Sequence, residues 1–408
     1  HLHGGSAAAA VRHPGDLRGE EASRVVLSQI VREYKPTRVQ PLAEETGWVS
    51  ERCRSVRRRK GTEGREARGC HAPQYFSGHL SPYIRTFVRP LQAMDSSRVI
   101  VFGYHDIGVA CLEELLDQGA NVVGVVTHRD DPNETIWFGS VAEVARTHGI
   151  RVDTPDDSNA PAFVEEIRRL QPDLIFSFYY RSLLAPAVLS IPRRGAINLH
   201  GSLLPKYRGR APLNWVLVRG ETVTGVTLHY MDERADHGDI IAQRAVPIEI
   251  EDTALTLSRK LTAAARALVG EMYPLIARGC APRTAQDHSA ATKFGRRTPA
   301  DGLIDWSQSA WQIYNLIRAV ARPFPGAFTF WQGRRVYVWS ARPPLIRSSP
   351  QPPGTVLGTG ADGTLEVATG DGILEVLRIQ PEDDTEMDGG DFFAKMVKGS
   401  CATRPQFG

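Results

Sequence analysis

Cysteine is scarce in this 408-residue chain: there are five, at Cys53, Cys70, Cys111, Cys280 and Cys401. The number is odd and no Cys-x-x-Cys pair occurs. This argues against a disulfide framework or a zinc finger and points to a reducing, cytoplasmic compartment. No stretch approaches the ~18 consecutive apolar residues that a membrane-spanning helix requires, so no membrane insertion is expected. Charge of one sign is also missing, with 49 Lys and Arg against 46 Asp and Glu, a formal +3. Residues 1–94 hold 16 basic and 9 acidic side chains, which leaves 33 and 37 for the remainder. The basic excess therefore sits wholly in the first quarter of the chain. A mildly acidic remainder gives no electrostatic ground for a nucleic-acid partner.

Methionine is absent from the first 93 residues, and the first is Met94. The same stretch is rich in Arg, Gly, Ser and Pro and shows no sustained hydrophobic period. It lacks the apolar core of a secretory signal, and its nine acidic residues are unlike a transit peptide. Residues 1–94 are expected to be a disordered or non-native leader, with Met94 as the native start. A genuine basic arm is the alternative.

Beyond the leader, apolar runs alternate with helical patterns. The runs Arg98–Gly103, Asn121–His128, Ile150–Val152, Leu174–Phe178 and Ala196–His200 read as strands. Helices are expected after Gly103, from a Ser140-Val-Ala-Glu143 capping box, at Pro161, from about Leu183, and around Ala211–Arg219. A further strand is expected at Gly225–Met231. A long helix should begin near Thr253 and end near Gly279, with apolar positions Leu257, Leu261, Ala264, Leu268 and Met272. Strands separated by helices of this length imply an α/β, largely parallel, doubly wound sheet. The expected domains are 95–285, a polar linker over 286–300, and a second domain over 301–408. In the latter, one helix (Ser309–Val320) precedes short β runs divided by turns, the texture of a small antiparallel barrel.

The segment Ala196–Asn214 (AINLHGSLLPKYRGRAPLN) carries the most chemistry. On a strand, Asn198 and His200 are two apart and share a face, at the carboxyl end where open α/β sheets place ligands. An amide donor beside an imidazole suits acyl-type transfer: Asn198 to bind a developing oxyanion, His200 to take a proton. Asp232 and Asp236 follow the next strand and could supply an orienting carboxylate. Taken alone, the same residues also fit a turn with satisfied polar groups. Lys206, Arg208 and Arg210 could form an anion patch or a solvated basic face. His105, His229 and His237 lack metal-ligand spacing, and no metal is expected. Neither a phosphate-binding loop nor a dinucleotide fingerprint occurs around Gly103 and Gly108.

Asn198-Leu-His-Gly-Ser-Leu-Leu-Pro205 with Tyr207-Arg-Gly209 resembles the signature of the folate-dependent formyltransferases. Phe102-Gly-Tyr-His-Asp106, Phe176–Arg181, Tyr207–Val216, Phe294–Pro299 and Pro325–Phe328 extend the resemblance over roughly 97–400. Within that family the chain is most similar to the formyltransferase half of bifunctional polymyxin-resistance enzymes that formylate UDP-4-amino-4-deoxy-L-arabinose. The resemblance implies a Rossmann-like domain followed by a barrel resembling an oligonucleotide-binding fold. It implies Asn198, His200 and Asp236 as the catalytic trio. It further implies 10-formyltetrahydrofolate as donor, contacting Ser182, Leu183, Leu184, Arg210 and the loop Asp232, Glu233, Arg234, Ala235 and Asp236. The partners implied are small molecules, a nucleotide amino sugar and the formyl folate. A methionyl-tRNA formyltransferase and a formyltetrahydrofolate hydrolase are the rival readings. The loop Arg129–Trp137 carries one basic and three acidic residues, which disfavours a phosphate-rich partner such as tRNA.

Overall fold

The computed structural model describes residues 97–132, 134–345, 347–398 and 405–408; the expected leader and Met94 lie outside them. The strands in chain order are β1 (Arg98–Gly103), β2 (Asn121–Val126), β3 (Val152–Asp153), β4 (Leu174–Phe178), β5 (Ala196–His200), β6 (Arg208–Gly209), β7 (Val223–Tyr230), β8 (Ile240–Pro247) and β9 (Lys293–Phe294). The helices between them are α1 (His105–Asp117), α2 (Val141–Thr147), α3 (Pro161–Arg169), α4 (Pro186–Leu189), α5 (Pro212–Val218) and α6 (Ala254–Ala277). The main sheet runs β3-β2-β1-β4-β5-β7-β8. The first five of these strands are parallel, and β7 and β8 are antiparallel.

Burial explains the layering. In β1, Val99 and Val101 face one apolar cluster while Ile100 and Phe102 face another. Helices α1, α2 and α6 cover the first face, and α3 with α4 covers the second. Both faces of the central strands are therefore dry, as a doubly wound sheet requires. The strand order reverses between β1 and β4, and such a switch point opens a crevice at the carboxyl ends of the strands.

Two expectations change within this sheet. Strand β8 (IIAQRAVP) was not anticipated, because Gln243 and Arg244 interrupt its alternation and it lies at the sheet edge. The helix expected from Leu183 is a single turn starting at Pro186. Asn159 holds the preceding residues in a loop: its Oδ1 accepts from Ala185 N (2.7 Å) and its Nδ2 donates to Leu183 O (2.9 Å).

The second sheet is antiparallel, ordered β10-β11-β14-β13-β12 with β15 on β14. Its strands are β10 (Ala327–Trp331), β11 (Arg334–Ala341), β12 (Val356–Thr359), β13 (Leu365–Ala368), β14 (Ile373–Pro381) and β15 (Met387–Asp388). Helices α7 (Ala310–Val320) and α8 (Gly389–Lys398) accompany it. Two glycines open α8 and hide its signal in the sequence. Residues 405–408 join the two edges of the sheet. Gly408 exchanges backbone hydrogen bonds with Phe330 of β10 (3.1 Å each), and Val356 of β12 donates to Pro405 O (2.9 Å). The sheet thus closes into a small barrel.

The two sheets are tied through α5 and α7. Asn214 Nδ2 donates to Ala319 O (2.7 Å), and the buried Arg318 donates to Glu249 O and Asp252 O (3.2 Å each). Among the described residues, no helix is long and apolar enough to cross a membrane.

Candidate active site

Strand β5 ends the parallel run, so its side chains alternate between the core and the crevice. Asn198 and His200 lie on one face and meet Asp236, which the loop after β7 brings back across the sheet. Asp236 adopts a left-handed backbone (φ 55°) that turns its carboxylate inward. Its Oδ1 lies 3.4 Å from His200 Nδ1 and 3.5 Å from Asn198 Nδ2. Its Oδ2 accepts from Gly209 N at 2.8 Å.

The loop between β5 and α5 supplies the rest of the frame. Tyr207 (φ 60°), Gly209 (φ 96°) and Ala211 (φ 53°) all take left-handed conformations. The pairing of β6 with β9 fixes Gly209: Arg208 N donates to Thr292 O (2.9 Å) and Arg210 N to Phe294 O (3.0 Å). A side chain at Gly209 would run into the Phe294 carbonyl. The Tyr207 carbonyl lies 2.8 Å from His200 Nε2. A carbonyl only accepts, so Nε2 carries the proton and the lone pair of the neutral ring sits at Nδ1, beside Asp236.

His229, opposite Asn198 in the β5–β7 register, completes the cluster. Its Nδ1 lies 2.8 Å from Tyr230 O, which leaves Nε2 to accept from Asn198 Nδ2 at 3.1 Å. The sequence considered His229 only as a metal ligand, since its partner across the sheet depends on a register that the sequence does not print. The Asn198 amide donor is thus directed at His229 and Asp236, and it reaches a reacting oxygen only by turning away from them. Burial raises the Asp236 pKa, but the neighbouring His200 and His229 rings and the Gly209 N–H outweigh it. Together they hold the carboxyl well below the usual carboxylate range.

The expected donor contacts are placed unevenly. Leu183, Arg234 and Ala235 line one cavity of about 340 Å³. Leu184 is buried in the apolar core with Val164 and Val188. Ser182, Arg210, Asp232 and Glu233 are exposed. The Arg210 guanidinium donates to Arg181 O (3.3 Å). Asp232 is taken up by its own loop, accepting from Arg234 N (2.8 Å) and lying 2.9 Å from His237 Nδ1. Of the two aspartates after β7, then, Asp236 faces the cluster and Asp232 does not.

The acidic loop before α2 is latched onto the β4–α4 loop. Glu134 makes a two-pronged pair with Arg181 (2.6 and 2.7 Å), and Tyr104 donates to Asp130 (3.0 Å). Arg181 also lies 4.6 Å over the Tyr104 ring. Burial and the Asp130 bond push the Tyr104 hydroxyl up to about 12. At the β1–α1 turn, His105 takes φ 67° and packs among Trp137 and Phe138. Its Nδ1 is buried without a hydrogen-bond partner, and burial lowers its pKa to about 4.

Among the described residues, no group of three His, Cys, Asp or Glu side chains is gathered as a metal site.

Comparisons with known proteins agree with this architecture. An N-formyltransferase from Helicobacter canadensis, solved with folinic acid and dTDP-3-aminofucose, is 21% identical with a TM-score of 0.55; the match covers 69% of this chain and 98% of that one. WlaRD, a sugar 3N-formyl transferase solved with dTDP and 5-N-formyl-THF, is 20% identical with a TM-score of 0.53, covering 71% and 99%. HypX from Aquifex aeolicus in complex with tetrahydrofolic acid is 18% identical with a TM-score of 0.51, and this chain spans about half the length of HypX. These likenesses concern the fold. The formyl transferase family model matches residues 97–272, and the formyl transferase C-terminal domain model matches 296–396. The two halves occur in order over about two thirds of the sequence, so the chain belongs to the formyl transferase family.

Proposed function

We propose that the chain transfers the formyl group of 10-formyltetrahydrofolate to the amino group of a nucleotide-linked amino sugar. The acceptor we infer is UDP-4-amino-4-deoxy-L-arabinose, whose formylation serves lipid A modification and polymyxin resistance. The observation that carries the reading is the convergence of Asn198, His200 and Asp236 on one point at the carboxyl end of β5. The exposed Leu183, 68% accessible beside the cavity, suits the flat apolar face of a folate. The donor supplies a formyl carbon attached to a nitrogen leaving group.

The rest of the chemistry falls to side chains. The sugar amine attacks as the free base, and His200 takes its proton at Nδ1, the only nitrogen of that ring not bonded to Tyr207. Asp236, already ionised, lies where it balances the charge that appears on the ring. Asn198 turns its amide from His229 toward the formyl oxygen as negative charge builds there. His200 then returns the proton to the departing folate nitrogen.

The purified chain, incubated with 10-formyltetrahydrofolate, is to be offered UDP-4-amino-4-deoxy-L-arabinose, a dTDP-linked 3-amino sugar, methionyl-tRNA, or buffer. Formylated UDP-sugar is the expected product. Preference for the dTDP sugar would move the acceptor, formyl-methionyl-tRNA would replace the reading, and equal folate release in buffer would make the chain a hydrolase.

A further inference from the structure

His229 touches the trio, yet no step of the transfer reaction uses it. It stands on β7 opposite Asn198 of β5 and is only 2% exposed. Its Nδ1 lies 2.8 Å from Tyr230 O; a carbonyl only accepts, so the proton of the neutral ring sits on Nδ1. Nε2 is then an acceptor, and Asn198 Nδ2 meets it at 3.1 Å. Asp236 Oδ1, a second acceptor, lies 3.5 Å from the same amide nitrogen and 3.7 Å from His229 Nε2.

Two acceptors therefore share one NH2 group. That group carries two N–H bonds, one for each acceptor, and in this arrangement neither is left for a formyl oxygen. The other end of the amide, Oδ1, only accepts and would repel a developing oxyanion. His200 Nδ1 and Asp236 are meanwhile already in place beside each other. The resting site is thus ready to take a proton but withholds the Asn198 donor.

We propose that His229 is a positioning residue that parks the Asn198 amide and so suppresses hydrolysis of the formyl donor until an acceptor is bound. The inference rests on the reading of Asn198 as the oxyanion donor.

In the suppressed reaction a water oxygen bonds to the formyl carbon and the bond from that carbon to the folate nitrogen breaks. One water proton goes to the nitrogen and the other to solvent, and formate and tetrahydrofolate leave. Charge builds on the formyl oxygen as it does in transfer, so the same amide is needed. Turning it costs Asn198 its bond to His229. A bound acceptor offsets that cost with binding energy from the rest of its structure, whereas water brings none. The parked amide therefore favours an amine carried on a bound molecule over a free water.

The test is release of tetrahydrofolate from 10-formyltetrahydrofolate by the full chain with no acceptor present. His229→Leu removes the ring acceptor and is expected to leak about fivefold faster than the wild type, as for one net hydrogen bond. His229→Gln keeps an acceptor oxygen near the place of Nε2 and should leak at about the wild-type rate. The increase should vanish when Asn198→Ala is added, because it acts through that amide. A histidine that merely filled the core would, on replacement, lower the rate and could not raise it through Asn198. Leakage at or below the wild-type rate in folded His229→Leu overturns the proposal. An increase that persists beside Asn198→Ala, or that His229→Gln shares, overturns it as well. Should His229→Leu fail to fold, magnetic resonance of the wild type with isotope-labelled histidine decides: a proton on Nδ1 alone is expected at His229, and a proton on Nε2 overturns the proposal. Unchanged formyl transfer in Asn198→Ala would remove the oxyanion reading itself, a result distinct from an unchanged leak in His229→Leu.

Discussion

His200 and Asp236 show how one hydrogen bond assigns a chemical role. The Tyr207 carbonyl occupies Nε2 of His200, which leaves Nδ1 beside the carboxylate as the atom that takes the proton in the reaction we propose. Replacement of His200 by Ala is expected to lower kcat by about 10²–10⁴-fold, the usual span for a lost general base. Asn198→Ala should cost about 10²–10³-fold, as for other oxyanion donors. Initial rates with saturating donor, beside unchanged thermal melts, check both. His105 makes a separate prediction. Its folded pKa is depressed from 6.5 to about 4, so its contribution to stability is complete above 6.5 and is lost as pH falls toward 4. The full loss is on the order of 3 kcal/mol. Melting temperatures measured between pH 7 and 4 should fall more steeply in the wild type than in His105→Phe.

The decisive backbone elements are short ones. The two-residue strands β6 and β9 hold Gly209 so that its N–H meets Asp236, with positive φ and no room for a side chain. Gly209→Ala is therefore expected to destabilise the protein by roughly 2–3 kcal/mol through backbone strain and displacement of the Phe294 carbonyl. It should lower kcat more than Lys206→Ala, a nearby change at an exposed side chain; chemical denaturation and turnover of the two variants test this.

For the whole molecule, closure of the barrel depends on a few terminal residues. Removing 405–408 breaks the bonds from Phe330 and Val356 and takes Phe407 off Trp306 and Phe392. The truncated chain should lose about 3 kcal/mol or more, because a buried aromatic and several backbone pairs go together. Arg318 joins the barrel side to the formyl transferase sheet, and burial lowers its pKa from the ordinary guanidinium value. Arg318→Ala removes its hydrogen bonds to Glu249 O and Asp252 O, leaving Asp252 O without its side-chain donor while Glu249 O keeps the Asp252 N–H, and should cost about 2–3 kcal/mol. Limited proteolysis should then cut between the two sheets, where the wild type resists.

How much of this was legible from residues alone varies with the distance of each contact along the chain. The apolar runs of β1, β4 and β5 and the heptad-like spacing of α6 are local patterns, and they appear where expected. The shared face of Asn198 and His200 follows from the two-residue period of a strand. The choice between Asp232 and Asp236 is not local: it rests on a left-handed residue that turns one carboxylate inward. The role of His229 depends on the β5–β7 register, and the placing of Gly209 on a β6–β9 pairing across 85 residues. Barrel closure likewise joins segments far apart in sequence. Period, polarity and turn residues act within a few positions and so specify elements and faces. Register, cross-sheet neighbours and the conformation of tight loops are set by packing free energy summed over distant contacts, which no local pattern encodes.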